Sequence, residues 1–287
     1  MGFANDRIVV VTGASRGAGK GIALALGQPG TTVYVTGRTE LEGDAPLPGT
    51  VAATAAEITA RGGVGVPVIC DHADDAAVER LFSRVASDHG RLDILVNNAL
   101  AVPDELALRG PFWEKPLSMQ KILDVGMRST YVASWYAAPL LVANGAGLIV
   151  NTSSFGARCY MHGPAYGAGK AAVDKMAHDM ALDLKPFDVA AISLWMGMLK
   201  TERTAAAIGG NVEAYKQFAA HAESAEFPGL VIDALARDPK LMARTGQVLI
   251  GAEVALELGV TDIDGNQPPS HRGFLGDPTI FSDAVVQ

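Results

Sequence analysis

The chain has 287 residues, 49% apolar and 19% charged, a balance that supplies a large buried core and excludes general disorder. With 23 Lys and Arg against 31 Asp and Glu, the net charge of -8 has the wrong sign for gripping a phosphate backbone, so no nucleic-acid partner is expected. The 32 glycines follow no Gly-x-y period and no repeat unit recurs, which excludes collagen and solenoid architectures.

The opening MGFANDR has neither a basic start nor an apolar signal core, so no leader is expected. Residues 7–12 (RIVVVT) read as a strand, 17–26 as a helix, 32–36 (TVYVT) as a strand and 50–60 as a helix. The alternation continues with strands at 64–70, 92–97, 147–152 and 189–195, and a last one at 247–250 closing an edge. Helices are predicted at 76–89, 117–143 and 166–184. The strands are continuously apolar, as strands covered on both faces must be. Repeated βα units predict an α/β fold: a doubly wound parallel sheet (Rossmann-like) between two helix layers, a single three-layer αβα domain spanning 1–287.

Residues 129–157 carry no charge, which is long enough for a membrane span, but Pro139 and the run Asn144-Gly145-Ala146-Gly147 interrupt them. They read as a buried helix, a turn and a buried strand, with no membrane span. Three segments stand outside the βα pattern. Residues 41–49 (LEGDAPLPG) form an acidic loop, 200–227 read as helical and are expected to cover substrate, and 262–287 form a C-terminal arm. Cys70 and Cys159 are too few for a disulfide framework, so a reducing, cytoplasmic setting is expected. The six histidines show no metal-ligand spacing, and no metal site is expected.

The string VTGASRGAGKG, from residue 11, joins the first strand to the first helix. Gly13, Gly17 and Gly19 remove side chains that would keep a phosphate from the N–H groups of a helix N-terminus. Alone, such a string is as often a plain tight turn. Its place after the first strand points to a dinucleotide. The second strand ends Thr36-Gly37-Arg38, without the acid that takes the 2′-hydroxyl of NAD, and Arg16 could reach the same phosphate as Arg38. Each arginine singly reads as a solvated loop charge. Together they favour NADP(H) over NAD(H). Tyr166 and Lys170 lie four apart on a predicted helix and share one face. A phenol is a weak acid, and a nearby ammonium favours its ionised form. Taken alone the pair is an ordinary helix surface.

In this order, the glycine loop, Asp71 after the third strand, Asn97-Asn98-Ala99 after the fourth, a serine after the fifth and Tyr166-x-x-x-Lys170 resemble the short-chain dehydrogenase/reductase family over nearly the whole chain. Stretches such as FWEKPLSM and SLWMGMLKTE are similar to one narrower group within it. The resemblance implies that Tyr166 passes a proton to or from the substrate oxygen, that Lys170 lowers the Tyr166 pKa and holds the nicotinamide ribose, and that the serine holds the substrate oxygen. It places Ser15 with the glycine loop in the cofactor site, Asp71 and His72 beside the adenine, Asn97 and Ala99 along the cofactor's middle, and Thr201 at the carboxamide.

Strand register puts Ser154 in the serine's place, whereas counting thirteen back from Tyr166 gives Ser153; register is the stricter guide to side-chain direction, which favours Ser154. Two residues depart from the family. Gly126 stands where many members carry the asparagine of a proton relay, with Asp124 or a backbone carbonyl as replacement, and Met196-Gly197 replaces Pro-Gly. The expectation is an NADPH-dependent oxidoreductase interconverting a carbonyl and an alcohol on an apolar small molecule. The alternative is an NADP(H)-binding sensor or scaffold with weak or no catalysis. Phe155, Trp195, Met196, Met198 and Trp113 are candidates for apolar lining and equally for core, and Cys159 and His162 lie in a loop expected to face substrate. The apolar helices at 117–143 and 166–184 imply a homodimer or homotetramer.

Overall fold

Each apolar run becomes a parallel strand because a helix returns the chain to the same end of the sheet before the next begins. A computed structural model describes residues 6–209, 211–282 and 284–286; residues 1–5, on which the leader expectation rests, lie outside the described residues. The strands are β1 (Arg7–Val11), β2 (Thr31–Gly37), β3 (Val64–Ile69), β4 (Ile94–Asn97), β5 (Gly147–Ser153), β6 (Val189–Trp195), the short β7 (Leu199–Lys200) and β8 (Glu223–Ser224), and β9 (Val248–Ile250). Seven form the main sheet in the order β3-β2-β1-β4-β5-β6-β9, every pairing parallel. The chain first moves outward from β1 to β3 and then restarts on the other side at β4. That reversal leaves a crevice beyond the carboxyl ends of β1 and β4.

The helices are α1 (Gly17–Leu26), α2 (Val51–Ala60), α3 (Asp75–His89), α4 (Ser129–Asn144), α5 (Pro164–Leu184), α6 (Glu202–Ile208), α7 (Val212–Ala219), α8 (Phe227–Arg237), α9 (Gly251–Leu258) and α10 (Arg272–Leu275). Strand alternation divides the core. Val9, Val11, Val33 and Val35 face α1, α2, α8 and α9, while Ile8, Val10 and Tyr34 face α3, α4 and α5. Local chemistry sets the helix ends: Thr50 Oγ1 accepts the Ala53 N–H and an Asp74 side-chain oxygen that of Ala76, while Gly90, at φ 67°, terminates α3.

The helix predicted at 117–143 is broken. A 3-10 turn (Leu117–Gln120) comes first, then Val125 and Gly126 leave helical geometry, Gly126 at φ 144° and ψ -51°. Only glycine enters that region cheaply. The break is capped from within: the Gly126 N–H donates to Ser129 Oγ at 3.0 Å and Thr130 Oγ1 donates to the Gly126 carbonyl at 2.8 Å. The uncharged stretch becomes α4, a turn at Gly145 and β5, and no helix among the described residues is long and apolar enough to cross a membrane. The 200–227 segment is helical in α6 and α7 but also carries the β7–β8 ladder, which the sequence does not announce. The arm packs against its own chain, with Phe281 5.1 Å from the His178 ring.

Helix α1 meets the segment ahead of α8 almost backbone to backbone. A Cβ on Gly21 would fall inside the Ala225 carbonyl, and one on Gly229 would lie 2.7 Å from Ala25 Cβ. Gly145 has open space around it and only its φ of 66° to defend. Urea unfolding should therefore show Gly21→Ala losing about 3 kcal/mol and Gly145→Ala about 1 kcal/mol; the reverse ranking would contradict this packing.

Candidate active site

The crevice holds a cavity of about 780 Å³, within the range of small-molecule sites. Its floor is the glycine loop. A Cβ on Gly13 would sit 2.8 Å from Ala99 Cα, and one on Gly19 would strike the Gly13 carbonyl. The loop is braced from β4: Thr12 Oγ1 accepts the N–H groups of Asn98 at 2.8 Å and Ala99 at 2.9 Å, and Asn98 Nδ2 donates to the carbonyls of Thr12 and Gly13. Asn98 is a residue that sequence reasoning missed, although it stands inside the Asn97-Asn98-Ala99 run. Asn97, expected beside the cofactor, turns its side chain into the core, donating to Ser134 Oγ and Asn151 Oδ1 at 2.9 Å each. Successive strand residues face opposite ways, which separates the two amides.

At one end of the cavity lie Arg38, Asp71 and His72. Arg38 is exposed. Arg16 is committed elsewhere than expected: it donates to the Pro48 and Gly49 carbonyls and to Thr39 Oγ1, pinning the 41–49 loop beside the glycine loop. Partial burial lowers its pKa. Ser15 also lines the cavity. Asp71 Oδ1 accepts the Ala73 N–H. His72 is buried with Nε2 2.7 Å from Thr36 Oγ1, and its Nδ1 finds no partner among the described residues. Burial pulls its pKa down to about 4, so the ring is neutral.

At the other end Ser154 Oγ lies 3.0 Å from Tyr166 Oη. Ser153 ends β5, is wholly buried and donates to the Lys170 carbonyl; Ser154 leaves the sheet and accepts the Gly156 N–H. A Cβ on Gly156 would sit 2.5 Å from the Tyr166 ring, so glycine lets the turn close on the phenol. Lys170 Nζ donates to the Thr152 carbonyl at 3.0 Å and lies 5.7 Å from the Tyr166 ring centroid. Burial holds the phenol pKa above its ordinary value, opposed by the Ser154 hydrogen bond, and lowers Lys170 to about 8, opposed by the charge of Asp174. The expected depression of Tyr166 by Lys170 is therefore not what this geometry produces; desolvation wins.

Over the mouth, Thr201 caps α6, and Glu202 Oε2 accepts the Gly17 N–H at 3.0 Å. This acid reaches the glycine loop across 185 residues, and no local signal foretells it. Met196 lines the cavity, but Phe155 and Trp195 are buried against each other at 5.0 Å and belong to the core. Trp113 and Met198 lie 71% and 43% exposed. The His162 ring sits edge-on to Tyr166 at 5.0 Å, while Cys159 packs on the Phe155–Trp195 cluster. Asp124 is exposed, and Val125 reaches the cavity wall at the Gly126 break. No cluster of metal-ligating side chains occurs among the described residues.

A family model described as short chain dehydrogenase matches residues 7–209. The chain is 42% identical over 272 residues to the human protein Dehydrogenase/reductase SDR family member 1, covering 91% of this chain and 84% of that one. The mouse protein of the same name is 41% identical over 270 residues, covering 90% and 84%. A 1,6-dihydroxycyclohexa-2,4-diene-1-carboxylate dehydrogenase of Acinetobacter baylyi is 30% identical over 183 residues, covering 62% of this chain and 63% of that one.

His72 makes the site's acid sensitivity measurable. The unfolded chain protonates this ring near pH 6.5 and the folded chain only near 4, so stability present above pH 6.5 is lost as pH falls toward 4, ~3 kcal/mol in all. His72→Gln should flatten that part of the curve in urea unfolding between pH 4 and 7. An unaltered slope would show that His72 is not its source.

Proposed function

The chain belongs to the short-chain dehydrogenase/reductase family and is an NAD(P)-dependent oxidoreductase, and from that premise we propose that it interconverts a carbonyl and an alcohol on an apolar small molecule with NADP(H) as the preferred coenzyme. The observation that carries the proposal is one cavity with the side-chain-free glycine loop along its floor and Ser154, Tyr166 and Lys170 gathered at one end. No Cβ fits on Gly13 against Ala99 or on Gly19 against the Gly13 carbonyl, and this close-packed loop, with Gly17 bare beside the cavity, fits a dinucleotide backbone. When bound, the coenzyme supplies or takes the hydride.

The chain's own groups do the rest. The Tyr166 phenol, kept protonated by burial, gives its proton to the carbonyl oxygen in reduction and recovers it in oxidation. Ser154 Oγ, 3.0 Å from the phenol oxygen, holds the same substrate oxygen and orients it. Lys170 spends one ammonium proton on the Thr152 carbonyl and has two more for ribose hydroxyls. The α1 N-terminus at Gly19 faces the pyrophosphate, and Gly17, whose N–H is held by Glu202, gives it room by lacking a side chain; Ser15 and Ala99 lie beside it, Asp71 and His72 flank the adenine, and Thr201 meets the carboxamide. Arg38, exposed at the end of β2 with no acid beside it in sequence, takes the 2′-phosphate. Arg16 shapes the 41–49 loop around it.

Met196 offers apolar contact, and residues 200–227 cover the substrate. The Acinetobacter baylyi relative, named a dehydrogenase of a dihydroxylated ring, supports alcohol-to-carbonyl chemistry. Tyr131 and Trp135 on α4 remain 54% and 61% exposed, surface that supports a homodimer or homotetramer. Two free thiols suit a reducing, cytoplasmic setting. Gly126 in place of the relay asparagine favours a second reading, an NADP(H)-binding sensor, which would show an NADPH-raised Tm without turnover on any carbonyl.

Tyr166→Phe should lower kcat by about 10³-fold while leaving the NADPH Kd within about twofold, measured by steady-state rates and fluorescence titration. Full turnover in that variant would sink the mechanism. Arg38→Ala should weaken NADPH binding about tenfold and leave NADH unaffected; an equal loss for both would remove Arg38 from the 2′-phosphate.

A further inference from the structure

The face of α5 that carries Tyr166 and Lys170 continues one turn further, at the same four-residue spacing, to Asp174. Its side chain is 1% exposed. Both carboxylate oxygens are held from β6: Ser193 Oγ donates to Oδ1 at 2.5 Å and Trp195 Nε1 to Oδ2 at 2.9 Å. A buried carboxylate is costly unless its lone pairs are satisfied, and an apolar side chain between α5 and β6 would serve packing as well or better.

Its relation to Lys170 gives the acid a use. The Lys170 ammonium is bound to the Thr152 carbonyl, and the Asp174 oxygens are engaged by Ser193 and Trp195. The two charges therefore act on each other through the dry interior, one helical turn apart, without a shared hydrogen bond. A direct salt bridge would consume ammonium donors. This arrangement supplies the compensating charge and leaves two donors free.

We propose that Asp174 is a positioning residue of the site, one that supplies the buried Lys170 with a compensating charge without occupying its donors. The proposal rests on the reading of Tyr166 and Lys170 given under Proposed function. Burial draws Lys170 down to about 8 and Asp174 draws it back up, while the Ser193 and Trp195 donors and Lys170 oppose the burial that raises the Asp174 pKa. The other groups around Lys170 do not compete. Tyr166 is protonated, β5 and β6 present neutral Thr152, Ser153 and Ser193, and Cys159 packs on the Phe155–Trp195 cluster. On the turn packed against α5, Asp124 is exposed and Arg128 is paired with Asp75.

The test is NADPH binding to the full chain, followed by fluorescence between pH 6.5 and 9.5, for the unaltered protein and for Asp174→Asn, which keeps the shape and one acceptor. Binding to the unaltered protein should weaken as Lys170 loses its proton near pH 8. In Asp174→Asn that midpoint should move down by about one pH unit, so the two Kd values agree within about twofold at pH 6.5 and part by about threefold at pH 8. Asp174→Ser serves the same comparison should the amide not be accommodated. A variant whose affinity is changed by one constant factor at every pH, or not at all, overturns the proposal, because a merely structural role would not be confined to alkaline pH. Failure of the unaltered chain to bind NADPH at any pH would defeat the coenzyme reading and this proposal with it.

Discussion

The molecule's functional geometry depends on one hydroxyl at the place where the sheet changes direction. Thr12, just past β1, accepts two N–H groups from the residues just past β4, and Asn98 returns the tie through the carbonyls of Thr12 and Gly13. These strands diverge in chain order, one half of the fold leading away from each. The β1–β4 pairing holds the two halves side by side, and the tie carries that register past the strand ends into the glycine loop, facing the half that carries the phenol and the ammonium. With it, the two ends of the cavity are set against a common reference.

Burial, rather than pairing of charges, sets the protonation states around that cavity. It raises Tyr166 and lowers Lys170 and His72, each in the direction that disfavours charge. The net negative chain meets an anionic ligand with few cations, so each one counts, and their neighbours are chosen accordingly. Lys170 is backed by an acid that does not touch it, and Arg16 is occupied by carbonyls instead of carboxylates.

The fold class was legible because β-branched runs bounded by helical stretches have few topological solutions, and the observed strand order is one of them. The glycine loop and the Tyr166–Lys170 spacing were legible for a related reason: helix and turn geometry translate sequence distance directly into spatial distance. Other features depend on partners far along the chain. Arg16 reaches Pro48 and Gly49, and Glu202 reaches Gly17; nothing near those residues marks the pairing. The exchange of roles between Asn97 and Asn98 turns on strand parity, which a one-residue error in the strand end inverts. Phe155 and Trp195 were undecidable by type, since an aromatic ring suits a core and a pocket equally. The break at Gly126 lay hidden in a composition that suits a continuous helix.

The segment between β6 and α8 is fastened to α1 twice. At its start Glu202 grips the Gly17 N–H, and at its end the backbone at Ala225 lies flush on Gly21, only four residues along the same helix. It is thus a strap with both buckles on one bar, unlike a flap on a hinge. Helices α6 and α7 lie between the fastenings, so any opening that keeps both is a bowing of these two helices. The bar itself begins at the glycine loop, so whatever tilts α1 carries both buckles with it. Length changes within the bow alter its slack without disturbing where it is tied.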